Sequence, residues 1–560
     1  MGCSYTIGQE VNKVDPGRKP CRCIECYPVF SCRVVFCWFV NQLYLAGKDQ
    51  RMLPKSMVVL LSLPVLLSLS SCTSSESPPE ISLDELTIAE IHTAYRAGTY
   101  SSEDLVAAYL DRIATRDRSL NALTVVNPQA LAIARELDTE LAETGELRPL
   151  HGIPLIVKDN INTAGLPTTA GALALQDYVP EENAFIIRKL VEAGAIILAK
   201  SNMAEWAFSA MHTESSTAGT TRNPYDLQHV PAGSSGGTAA AVAANLGAIG
   251  LGTDTGNSIR GPSSHCALVG FRTTLGLISR SAIVPLYLRN DVVGPMCRTV
   301  TDATRVLEVM AGYDPADPLT AYAEGQIPDD YQQFLQPDGL QGARIGVLRT
   351  LCEGDAEVLA LFAQAVSDLD AQGATIVDPV VVPGFEELRQ DQWCADFRKD
   401  VEAFLAQYVQ RDSLQTLEDV MRIGTASDFA ARRLQMLSSN TGRWGEKELP
   451  CGDAYTDERR VAFREAIERT MDSLELDALI YPTWGYPPAR INHFEEEYRG
   501  DNNQVIAPHT GQPAFTVPMG FTAAGLPTGL QFLGRMYDEP TLIRLSYAYE
   551  QATQHRVPPQ

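Results

Sequence analysis

Three short, continuously apolar runs constrain the fold of this chain more than any other feature: Ile153-Pro154-Leu155-Ile156-Val157, Ala195-Ile196-Ile197-Leu198-Ala199 and Ala248-Ile249-Gly250-Leu251. A strand with one wet face alternates polar and apolar residues, whereas a strand covered on both faces does not. Helical patterns stand between the runs. Asn183 to Ala193 reads as a helix closed by Gly194, and the Ala-rich stretch Thr238 to Leu246 as one closed by Gly247. Upstream, Thr87-Ile88-Ala89-Glu90 is a capping box, with Ile88, Ile91 and Tyr95 at helical spacing until Gly98. A second helix begins near Ser101 or Ser102 and carries Leu105, Tyr109, Leu110 and Ile113. Residues from about 350 to 480 hold longer helical patterns. Leu476 to Tyr481 and Gln512 to Pro518 then return to strand. The reading is an α/β protein: one large domain over residues 81–560, a sheet covered by helices, and a helical insertion at about 350–480.

Charge and cysteine usage narrow the function classes. Lys+Arg is 45 and Asp+Glu is 69, a formal net charge of −24. A nucleic-acid binder normally carries a basic face, so no nucleic-acid partner is expected. Beyond Cys72 only Cys266, Cys297, Cys352, Cys394 and Cys451 occur, too scattered for a disulfide framework or a zinc site. No metal and no cofactor is expected.

The N-terminus reads as an export signal. Arg51 and Lys55 supply positive charge, Met57 to Leu69 is almost wholly apolar, and small residues lead into Cys72. The run is too short for a comfortable membrane span. Leu69-Ser70-Ser71-Cys72 resembles a bacterial lipobox, in which the cysteine is lipidated and becomes the mature N-terminus. Residues 52–71 are then a signal peptide and 72–80 a polar tether. The domain would sit in the periplasm or outside the cell, anchored to the membrane at Cys72. Residues 1–51 read as an upstream extension foreign to the native protein. Their myristoylation-like start, Met1-Gly2-Cys3-Ser4, and the cluster Cys21, Cys23, Cys26 are short patterns.

Three segments carry candidate chemistry. Lys158-Asp159-Asn160 ends a buried strand, Gly233-Ser234-Ser235-Gly236-Gly237 opens a helix, and Gly252-Thr253-Asp254-Thr255-Gly256-Asn257-Ser258-Ile259-Arg260 follows a strand. Taken singly, each suits a solvated lysine or a capped turn. Together they supply a buriable base, two hydroxyls, and glycines that let backbone N–H groups approach a ligand. These are the parts of a serine hydrolase that uses lysine where others use histidine.

On those residues the chain is identified as resembling the amidase signature family, the Ser–cisSer–Lys amidohydrolases. The likeness runs from about 85 to 315 and resumes near 505–550. His151 to Asn160 resembles the family's lysine segment. Pro231 to Gly237 resembles its GGSSGG segment, with Ala232 in place of a glycine. Gly252 to Arg260 resembles its GTDxGGSIR segment, with Asn257 in place of a glycine, and the 24-residue separation of Ser234 and Ser258 is the family's. The resemblance implies a mixed central β-sheet with helices on both faces and hydrolysis of a small-molecule or peptide amide. It implies Ser258 as nucleophile, Ser234 as proton relay after a cis peptide bond, and Lys158 as base. An oxyanion hole would come from backbone N–H groups of Thr255, Gly256, Asn257 and Ser258. Ser235, Asp254 and Arg260 would be supporting residues. Asn tolerates left-handed backbone better than other non-glycine residues, so the hole survives, with the Asn257 side chain narrowing or polarising its mouth. Asp159 should point away from Lys158 because neighbours in extended backbone face opposite sides. Trp206 and Phe208 are candidates for an acyl pocket.

Gly233 to Gly237 also fits the G-x-S-x-G nucleophile elbow, in which Ser235 would act with His493, His509 or His555. An elbow should follow a strand, and Asn223 to Pro231 reads as loop. Two further readings are the amidase component of a tRNA-dependent amidotransferase and a non-catalytic surface lipoprotein that keeps the fold. Oligomeric state is left open.

Overall fold

A computed structural model describes residues 81–393, 396–439, 443–444, 447–448 and 451–560. The extension 1–51, the signal-like segment 52–71, Cys72 and the tether to residue 80 lie outside them. Eleven strands form one sheet: β1 (Leu123–Val126), β2 (Pro154–Lys158), β3 (Ile196–Ser201), β4 (Ile249–Asp254), β5 (Val269–Arg272), β6 (Val292–Cys297), β7 (Arg344–Val347), β8 (Thr375–Val377), β9 (Ala478–Pro482), β10 (Ala514–Phe521) and β11 (Pro527–Leu533). Their order across the sheet is β1-β3-β2-β4-β6-β5-β10-β11-β9-β7-β8. The sheet is mixed: β2 runs parallel to β3 and β4, while β6 pairs antiparallel with β4 and β5.

Period-two alternation puts helices on both faces. Along β10, Phe515, Val517 and Met519 join the main core with Leu542, Leu545 and Tyr549 of the helix Glu539–Thr553. From the paired strand β11, Gly529 instead approaches Ser264 and Thr516 so closely that an added Cβ would lie 2.8 Å from Ser264 Oγ. Ser264 belongs to the short helix Arg260–His265 on that other face. Each fully buried Leu or Ile here contributes about 1.5–3 kcal/mol relative to exposure.

The capping box at Thr87 forms, with Glu90 Oε2 2.9 Å from the Thr87 N–H, and the helix Ile88–Ala97 ends at left-handed Gly98. The Ala-rich helix is shorter than its pattern, Gly236–Ala243, because Asn245 already turns left-handed at φ 57° before Gly247. Within 350–480 the chain is mainly helical, but β8 falls inside it and extends the sheet edge. Its helices Phe397–Phe404 and Asp428–Ser439 pack on Phe208, Leu286 and Tyr287 in a second cluster, next to the strand ends that hold the candidate residues. Among the described residues no helix is long and apolar enough to cross a membrane. Among the described residues Cys266, Cys297 and Cys352 are free, whereas Cys451 is disulfide-bonded. The scattered cysteines had given no sign of that bridge.

Candidate active site

Parallel pairing of β2 and β4 brings Lys158 and Thr253 together at the C-terminal ends of adjacent strands, the place where open α/β sheets bind ligands. Lys158 is fully buried. Its Nζ lies 2.7 Å from Ser234 Oγ, 2.8 Å from Thr253 Oγ1 and 3.3 Å from Thr253 O. Burial lowers its pKa to about 7, against the pull of Asp254 and Asp291. Asp159 faces the other way. It pairs with Lys200 at 3.8 Å and accepts a hydrogen bond from Thr169. Burial raises the Asp159 carboxyl and lowers the Lys200 ammonium.

The Gly233–Ser234 peptide bond is cis. A Cβ at Gly233 would lie 2.4 Å from both Ser209 O and His212 O, so only glycine fits. Ala232, where the family carries glycine, takes a left-handed φ of 60°, a conformation an L-residue reaches only at a cost. Ser235 Oγ donates to Thr253 O at 3.2 Å and accepts from Thr253 N at 3.4 Å. It thus brackets the backbone of the lysine's neighbour.

After β4 the chain bends sharply around Asp254. Its carboxylate accepts from Ile259 N at 3.1 Å, Arg260 Nε at 3.1 Å and Arg272 Nη1 at 2.6 Å. Burial alone would raise this carboxyl, but Arg260 and Arg272 hold it well below the usual range. Arg260 Nη2 also donates to Gly256 O at 2.5 Å. Thr255 Oγ1 donates to Asp291 at 2.6 Å, and Asp291 also takes the N–H groups of Leu286 and Tyr287. Gly256 O and the Thr255 hydroxyl are thereby committed. The N–H groups of Thr255, Gly256, Asn257 and Ser258 make no backbone hydrogen bond among the described residues. A run of uncommitted N–H groups is a nest for a developing negative charge.

Neither Gly256 nor Asn257 has a positive φ, so the left-handed conformation expected at Asn257 is not needed. Asn257 lines the cavity beside Ser258, where its side chain was expected to narrow or polarise the mouth. The amide is tied back to Asp501 Oδ2 at 2.7 Å, which also accepts from Tyr498 Oη and Gln504 Nε2. Burial raises Asp501 to about 6.

Ser258 borders a cavity of about 210 Å³, lined also by Thr255, Gly256, Asn257, Phe208, Leu286, Tyr287, Trp393, Gln504 and Arg433. Phe208 reaches this cavity. Trp206 does not; it lies behind, edge-on to Phe397 with centroids 5.9 Å apart. The Ser258 hydroxyl makes no hydrogen bond among the described residues; catalytic hydroxyls often tighten onto their base only with substrate in place. The nucleophile elbow is not built. Ser235 follows a loop, is fully buried, and meets no histidine among the described residues. His493 faces Glu496, His555 faces Asp368, and His509 lies edge-on to Trp393. Sequence reasoning quoted Thr253 without giving it a role, and missed Asp291, Arg272, Trp393, Gln504 and Arg433. Thr253 lay within a quoted motif and Arg272 near one, but their aim depends on strand pairing.

A family model described as Amidase matches residues 104–543. An Arabidopsis thaliana protein named "Probable amidase" is 33% identical over 525 residues, covering 90% of this chain and 96% of the relative. One component of the glutamyl-tRNA(Gln) amidotransferase of Thermosynechococcus vestitus is 36% identical over 495 residues, covering 84% of this chain and 99% of the relative. The solved peptide amidase of Stenotrophomonas maltophilia superposes with a TM-score of 0.74 at 36% identity, covering 85% of this chain and 99% of that one. With its 11-stranded mixed sheet and its Lys158–Ser234 contact in place, this chain belongs to the amidase family, whose members hydrolyse amides.

Proposed function

We propose that this protein hydrolyses a carboxylic amide through an acyl-enzyme on Ser258. The Ser258 hydroxyl adds to the amide carbonyl carbon, and its proton passes through Ser234 to neutral Lys158. The carbonyl oxygen becomes an oxyanion in the nest of N–H groups at Thr255, Gly256, Asn257 and Ser258. Collapse breaks the C–N bond, and the proton returns through Ser234 to the leaving nitrogen. Water then cleaves the ester by the same relay, releasing acid and restoring Ser258. The observation that carries this reading is the 2.7 Å contact of Ser234 with a lysine whose pKa burial brings to about 7. A lysine in that state accepts a proton at neutral pH. Peptide amides, the substrates named for one relative, and small linear amides are the substrate class proposed. A serine-directed phosphonate should label the protein stoichiometrically at Ser258, located by peptide mass spectrometry. Label on Ser235 would restore the elbow reading.

We also propose that the protein is exported and lipid-anchored at Cys72. The disulfide at Cys451 supports this, because disulfides persist in oxidising compartments. In a bacterial host the protein should partition with membranes and start at Cys72, and Cys72→Ala should release or mislocalise it. A membrane-free protein with an intact Met1 would refute the anchor.

A further inference from the structure

The active-site cavity contains one charged side chain among its described lining residues, Arg433, and that side chain has no ion pair or hydrogen bond among the described residues. Arg433 lies on the helix Asp428–Ser439. Ala430, Leu434 and Leu437 of this helix are buried, a spacing that docks one face onto the cluster with Phe208 and Tyr287. Arg433 borders that face, three residues from Ala430 and four from Leu437. It enters the cavity that Ser258 borders. Its Nε is buried and has no hydrogen-bond partner among the described residues. Arg433 has no ion pair among them either, although the neighbouring Arg432 pairs with Glu495. Tyr287 lines the same cavity; burial raises its phenol, and the Arg433 charge opposes that rise. No described carboxylate lines the cavity.

An arginine is a costly residue to leave without an anion in a partly desolvated pocket. In a chain of net charge −24, carboxylates were plentiful, yet none among the described residues faces this guanidinium. Phe208, Leu286, Tyr287 and Trp393 supply the apolar part of the remaining wall, and Thr255, Asn257 and Gln504 the polar part. Apolar surface beside a fork-shaped donor suits a short aliphatic segment ending in a carboxylate. We infer that Arg433 is a specificity-determining residue and that the preferred substrate is an amide whose non-reacting end carries a carboxylate. This rests on the amidase reading above.

The test compares two pairs of amides. The first pair is the p-nitroanilides of glutaric acid and pentanoic acid, equal in chain length and differing in the terminal carboxylate. The second is N-pentanoylglycine against N-ethylpentanamide, which places the carboxylate on the amine side. The readout is the ratio of kcat/KM within each pair, so uniform losses cancel. Wild type should prefer the carboxylate by at least about tenfold in one pair, and which pair responds tells which side of the scissile bond Arg433 serves. Arg433→Ala should bring that ratio to near one. Arg433→Lys should retain only part of it, because ammonium lacks the fork. Arg433→Glu should invert it, so that the uncharged member of the responding pair becomes the better substrate. Phosphonate labelling of Ser258 in each variant reports that fold and nucleophile are present. A neutral substrate preferred by wild type, or a ratio unchanged in Arg433→Ala, overturns the inference while leaving the amidase reading standing. No turnover of any amide together with no labelling overturns both.

Discussion

Ser258→Ala is expected to lower amide turnover by at least about 10⁴-fold while leaving the fold intact. The substitution removes the one atom that forms the acyl-enzyme. It removes little else: the hydroxyl makes no hydrogen bond among the described residues and faces the cavity. Stability should therefore change by no more than about 0.5–1 kcal/mol, as for sites without a buried partner. Covalent labelling should vanish with activity. Loss of activity together with a large fall in Tm would point to a structural role for Ser258, and near-normal turnover would exclude it as nucleophile.

Lys158 should dominate the pH profile. With a pKa near 7, the ammonium form prevails below neutrality and the free amine above it. Only the amine accepts a proton, so kcat/KM should rise by about tenfold from pH 6 to a plateau near pH 8. A rate that falls over this interval would contradict the base assignment. Lys158→Arg should lose about 10²–10⁴-fold, since guanidinium stays charged in the accessible range and a general base contributes that much. Ser234→Ala interrupts the same path. The double variant Lys158→Ala/Ser234→Ala should be little worse than its poorer single variant, because the two act as one unit. Additive losses would show that they act independently.

Much of the architecture was legible because it follows from local rules. The capping box at Thr87 and the both-faces-apolar run ahead of Lys158 are local chemistry, and the structure forms each within a few residues of its pattern. The segments with Ser234 and Ser258 stood out because tight backbone approach demands glycine, and the one with Lys158 because it ends a continuously apolar run. Gly233, wedged against Ser209 O and His212 O, shows that demand directly. The order of eleven strands was not legible, since hydrogen-bonding partners lie up to hundreds of residues away. Nor was the tie between Asn257 and Asp501, 244 residues apart.

Sequence alone determined most of the elements and nominated Lys158, Ser234 and Ser258 as candidates, because periodicity and the short segments that carry the family resemblance are both local. Only the tertiary structure decided their chemistry. Parallel pairing of β2 with β4 brings Lys158 to Thr253, and burial there brings an ordinary lysine to about 7. The fold likewise turns Asp159 toward Lys200, and brings Arg433 from a distant helix to the cavity beside Ser258. The physical reason is that a side chain's charge state and reach depend on what surrounds it in space, and chain neighbours supply only part of that surround.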